Sequence, residues 1–151
     1  MVDQPYVAVI GPSVATDEES ARAEEVGRLL ATEGAVVVCG GLGGVMEAVA
    51  RGAATAGGTV VGILPGAHRE EANEHVTVAV ATGMGEMRNA LVVRTADAVI
   101  AVGGAYGTLS EIALALRTGV PVVGIGTWEL DDVIEAPNAA AAVALATELA
   151  S

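Results

Sequence analysis

Two glycine clusters carry the first chemistry in this sequence. The run "AVVVCGG" leads into Gly40, Gly41, Gly43 and Gly44, and "AVIAVGG" leads into Gly103, Gly104 and Gly107; each is followed by an Ala-rich, helix-forming stretch. At the carboxyl end of a strand, such a turn opens a helix whose first N–H groups are unpaired and whose dipole is positive, which suits it to an anion. Two such turns could clasp one phosphorylated ligand. The same glycines also serve a mechanical role, permitting tight turns and close packing. The second cluster runs on into Thr108 and Glu111, and a carboxylate beside an anion-receiving turn needs a reason. Thr108-x-x-Glu111 has the spacing of a capping box, with the threonine as cap and the glutamate returning to the cap amide. So placed, Glu111 is expected to stay ionised.

Other chemistries are tested against the same residues. A G-x-G-x-x-G fingerprint started at Gly41 finds Gly43 but meets Met46 where its third glycine belongs, and no acid closes the run ending at Leu64. A dinucleotide cofactor is therefore disfavoured. All seven basic residues are arginine, and without lysine neither a Walker loop nor a pyridoxal phosphate Schiff base can be built. His68, Glu71 and His75 would share one face if their segment were helical, but the acidic loop around them reads as solvated, so no metal is expected. Cys39 ends an apolar run and reads as a small core residue. Ser13 offers a hydroxyl either to cap the first helix or to touch phosphate, and Glu47 answers the dipole of its own helix. Tyr106 and Trp128, two of only three aromatics, fall where they could stack on a base or pterin or simply pack.

Three stretches, "CGGLGGVMEAVARGA", "MRNALVVRTADAVIAVGGAYGTLSEIALAL" and "PVVGIGTW", together resemble the Lonely Guy (LOG) type of Rossmann-like protein, most closely its short branch, which includes the molybdenum cofactor carrier proteins. The likeness runs from the first strand through Trp128. It implies a site close to a subunit interface in a homodimer or dimer of dimers. It also implies one of two functions: carriage of a nucleotide-like phosphorylated ligand, or phosphoribohydrolysis of a nucleoside 5′-monophosphate to free base and ribose 5-phosphate. The family motif P-G-G-x-G-T-x-x-E falls on Gly103 through Glu111, and its catalytic arginine on Arg88. In the hydrolytic reading Glu111 would stabilise an oxocarbenium-like sugar and position water, while Arg88 holds phosphate or polarises the departing base. Gly103 replaces the motif's proline, Ala105 a glycine and Asn89 the lysine after the arginine, and the methionine before it stands early, at Met84. Because alanine does not readily take φ > 0, the chain path at Ala105 is expected to differ from that of the enzymes. These departures favour binding over turnover, with nucleotide or molybdenum cofactor as ligand and no other cofactor required.

Short β-branched runs alternating with helical stretches predict a single α/β domain over the 151 residues, doubly wound around a mainly parallel sheet with helices on both faces. Strands are expected over Tyr6–Ile10, Ala35–Cys39, Thr59–Leu64, Val76–Val80, Ala98–Val102 and Val122–Ile125. Helices are expected over Asp17–Thr32, Val45–Ala56, Met87–Thr95, Thr108–Arg117 and Asn138–Leu149. The loop Pro65–His75 is the longest connection. A net charge of −12 opposes nucleic acid binding, and no apolar run reaches the roughly 18 residues of a membrane span. One cysteine and no basic leader in "MVDQPYVAVIG" fit a cytoplasmic protein. The largely apolar circumference of "VMEAVARGAATA" and "MRNALVVRTA" points to a self-associating surface.

Overall fold

The computed structural model describes residues 4–151. Met1, Val2 and Asp3, part of the stretch examined for a leader, lie outside the described residues. The chain alternates strand and helix as its pattern dictates: β1 (Tyr6–Ile10), α1 (Asp17–Thr32), β2 (Val36–Cys39), α2 (Val45–Thr55), β3 (Val60–Leu64), β4 (Val78–Ala81), α3 (Arg88–Thr95), β5 (Ala98–Val102), α4 (Tyr106–Arg117), β6 (Val122–Ile125), β7 (Val133–Glu135) and α5 (Ala139–Leu149). All the strands join one parallel sheet in the order β4-β3-β2-β1-β5-β6-β7. From β1 the chain winds outward to β4, then returns to the other side of β1 and winds out to β7. The crevice between β1 and β5 is thus the topological switch point, where loops diverge above the strands' carboxyl ends.

Helices α1, α2 and α5 cover one face of the sheet, packing Val26, Leu30, Val49 and Val143 onto Val7, Val9, Val37 and Ile100. Helices α3 and α4 cover the other, with Val92, Val93, Ile112 and Ala115 against Ala8, Val38, Val99 and Val122. Strands buried on both faces explain why the central runs read as unbroken apolar residues, rich in valine. Two strand expectations are corrected. The pairing of β4 begins at Val78, two residues later than expected, because Thr77 bonds back to Val60 at the entry to the strand. The edge strand β7 was not expected at all: it spans three residues with acidic neighbours, too short and too polar to give a periodic signal.

Candidate functional site

Above the switch point lies a cavity of about 310 Å³, lined by residues at the ends of several elements. The end of β1 and its loop supply Ile10, Gly11, Pro12 and Ser13; the turn after β2 supplies Gly40 and Leu42. The segment entering α3 gives Glu86, Arg88 and Asn89, and the start of α4 gives Ala105, Gly107, Thr108 and Glu111. A shallower depression along the β4 edge, lined by Arg69, Glu70, Thr77, Val78 and Ala79, holds none of these groups.

Arg88 is buried, which its own bonds allow. Its Nε donates to the Ile63 carbonyl at 2.8 Å, Nη2 donates to the Gly40 carbonyl at 3.4 Å, and Nη1 donates to Oδ1 of Asn89. Burial lowers the guanidinium from its ordinary value while the Glu111 carboxylate opposes the fall, and an arginine stays charged through such a shift. Glu111 is only 9% exposed and forms no ion pair within 4 Å among the described residues. Burial pushes its carboxyl up to about 7, with the Arg88 charge pulling the other way.

The start of α4 overturns the capping reading. Helix α4 starts at Tyr106 and its cap is Ala105, which has no side chain to give. Thr108 stands inside the first turn, buried, where its hydroxyl accepts from the Ala105 amide at 3.3 Å. Glu111 therefore sits on the second turn, too deep for the cap amide or the dipole to hold its charge, and desolvation wins. Nor does Ala105 distort the turn: its φ is −121°, and the positive φ falls on Gly103 at +70°. The first helix is capped by Thr16, whose hydroxyl receives the Glu19 amide while the Glu19 carboxylate receives that of Thr16. Ser13 is left exposed on the cavity wall.

The two glycine turns do not contribute alike. From the first, Gly40 lines the cavity, but Gly41, Gly43 and Gly44 do not. Gly44 takes φ +65° directly beneath the Pro12 and Ser13 backbone, which a Cβ would strike, and the Val45 amide donates to the Pro12 carbonyl at 3.0 Å. The N-terminus of α2 is thereby closed. From the second turn, Gly107 faces the cavity with nothing within 4 Å of its missing Cβ, while Gly103 and Gly104 lie away from the cavity, against Glu19 and Trp128. Tyr106 projects outward, 84% exposed, stacked on Trp128 at 6.0 Å between ring centres, and the indole Nε1 donates to the Ala105 carbonyl at 3.1 Å.

Cys39 is fully buried at the end of β2, its thiol pushed up to about 11 mainly by desolvation. The segment of His68, Glu71 and His75 forms only a single short turn, Arg69–Glu71, so the helical face that would align them does not exist. Leu42, Met46, Pro65 and Glu86 line the cavity without having been expected there, and Asn89, expected only as a departure from the motif, lines it too. For Glu86 and Asn89 a signal existed, since they flank Arg88; Met46 carries no chemistry that would mark it.

A family model described as the SLOG cluster 4 family matches residues 4–150. The chain belongs to the SLOG cluster 4 family. This agrees with the LOG-like branch to which the glycine and arginine motifs pointed. The SLOG chain is 46% identical over 119 residues to an uncharacterised protein of Archaeoglobus fulgidus, covering 79% of this chain and 78% of that one. Among solved structures it is similar to the molybdenum cofactor binding protein of the phototrophic bacterium Rippkaea orientalis, with a TM-score of 0.94 and 34% identity over the whole of both chains. It is also similar to the molybdenum cofactor carrier protein of Chlamydomonas reinhardtii, with a TM-score of 0.90 and 33% identity over 97% of this SLOG chain and 98% of that chain.

Proposed function

We propose that this chain binds a small phosphorylated, nucleotide-like ligand in the switch-point cavity and acts as its carrier, the ligand being a nucleoside 5′-monophosphate or a molybdopterin-type cofactor. The observation that carries this reading is the convergence on one cavity of a buried, fixed arginine, the hydroxyls of Ser13 and Thr108, and the open turn at Gly107. A phosphate placed over the first turn of α4 would meet unpaired N–H groups and the Arg88 charge together. The volume is at the lower end of the range of about 300–1,000 Å³ usual for small-molecule sites, which suits a mononucleotide-sized ligand. Full-length similarity to molybdenum cofactor binding and carrier proteins supports the same reading. Tyr106, exposed in the first turn of α4 and stacked on Trp128, offers a surface on which a planar ring can stack. In this proposal the 151 residues act as one domain, a homodimer or dimer of dimers in the cytoplasm, without nucleic acid, membrane or further cofactor. Titration calorimetry with nucleoside monophosphates and a molybdopterin-type ligand tests it. Affinity well above that for inorganic phosphate is expected, and affinity no greater than the phosphate control would refute it.

One observation favours a second reading, phosphoribohydrolysis. A buried carboxyl that titrates near neutrality beside an arginine is suited to exchanging a proton or stabilising positive charge on a sugar. In that reading wild-type protein releases base from a nucleoside monophosphate. Glu111→Gln then slows release by about two orders of magnitude with little change in affinity. Chromatography of the released base separates the readings, and the carrier reading expects none from either protein.

A further inference from the structure

Among the described residues, Arg88 is the only cation lining the cavity, and nearly all of its donors are engaged inside the protein. Its Nε is held by the Ile63 carbonyl, Nη2 by the Gly40 carbonyl and, more loosely, by the Met46 sulfur at 4.0 Å, and Nη1 by Asn89. So tied, the guanidinium supplies a fixed positive charge and has few hydrogen bonds left to give. An oxyanion drawn to that charge needs N–H groups from a neighbour.

Asn89 is placed to provide them. Because arginine has no acceptor, the atom of the Asn89 amide that meets it is the carbonyl oxygen, so the orientation of the amide follows from chemistry. The residue is half-buried and lines the cavity, and its NH2 has no partner among the described residues. We propose, resting on the binding role given above, that Asn89 is a specificity-determining ligand contact: with its oxygen held by Arg88, its NH2 faces the cavity as an uncharged donor to a phosphate oxygen. The motif that this chain resembles places a second cation, a lysine, at this position. The amide instead adds donors without adding charge, and its engagement by the guanidinium polarises it toward stronger donation. Charge and hydrogen bonding are thus divided between adjacent residues, Arg88 attracting the anion and Asn89 orienting it.

The test compares Asn89→Ala, which removes both functions of the amide, with Asn89→Asp, which still offers Arg88 an acceptor but carries no N–H. Affinities are measured by calorimetry for inorganic phosphate and adenosine 5′-monophosphate, in about 0.5 M salt so that through-space repulsion by the aspartate is screened. Both variants should lose about tenfold to a hundredfold in affinity, as for a lost hydrogen bond to a charged group. In the wild type, the side-chain NH2 resonance of Asn89, identified by its absence from Asn89→Asp, should shift as the probe saturates. Wild-type affinity in either variant, or an NH2 resonance that does not respond to the probe, overturns the assignment and leaves Asn89 as a prop for Arg88. If the wild type binds neither probe, the binding role itself fails, and this assignment with it.

Discussion

Burial raises the Glu111 carboxyl to about 7 against the pull of Arg88, so the folded chain holds that proton more tightly than the unfolded chain does. The contribution to stability is therefore fully present below the ordinary value near 4.5 and is lost as pH rises through 7. At about 1.4 kcal/mol per pH unit, the loss is on the order of 3 kcal/mol. Glu111→Gln should flatten this dependence: denaturant melts at pH 5 and pH 8 should show the variant gaining on the wild type by up to about that amount at the higher pH. Equal pH dependence in both proteins would mean that Glu111 is ionised and solvated. Cys39 provides a second residue-scale test, since a buried thiol pushed to about 11 presents almost no thiolate at neutral pH. Alkylation by iodoacetamide at pH 7.5 should be negligible in the native chain and rapid in denaturant. Residue types were the most legible feature of the sequence, with Arg88, Thr108, Glu111, Ser13, Gly40 and Gly107 brought to one cavity. The state of Glu111 was not legible, because burial depends on what the fold places over a residue.

At the level of elements, the same turn chemistry has two outcomes. Gly44 holds a positive φ under the Pro12 and Ser13 backbone, whereas Gly107 has a negative φ and open space. Gly44→Ala should therefore destabilise by more than about 1 kcal/mol from the dihedral alone, with the collision adding to it. Gly107→Ala should leave melting nearly unchanged yet weaken ligand binding, because its methyl group enters the cavity. Matching effects on stability from both substitutions would contradict this division. Thr16→Ala, which removes the α1 cap, should cost about 1 kcal/mol by denaturant titration, while Ser13→Ala should cost almost nothing. Helix bodies were legible from their apolar pattern, but the start of α4 was not. An alanine cap leaves no side-chain signature, and Thr108-x-x-Glu111 imitates a box three residues downstream. The strand β7 lacked a signal for the opposite reason, being held by pairing to β6 instead of by its own pattern.

For the whole molecule, the alternation of strand and helix made the doubly wound sheet readable, since few topologies satisfy it. Where the chain might self-associate was less readable. The apolar residues of α2 are consumed within the chain against α1 and the sheet, with Gly52 seated on the Glu24 backbone. One group of uncovered apolar side chains lies on β4 and before α3: Val78, Val80, Met84 and Met87, the last 72% exposed. A homodimer built there should appear at twice the 14.9 kDa chain mass by light scattering, and Val80→Glu with Met87→Glu should return it to monomer. A crystal soaked with a nucleoside 5′-monophosphate would locate the ligand relative to the switch point. Phosphate density is expected over the first turn of α4, between Gly107 and Arg88, with the base directed toward Tyr106 and Trp128. Density at another surface, or an empty cavity at saturating ligand, would contradict it.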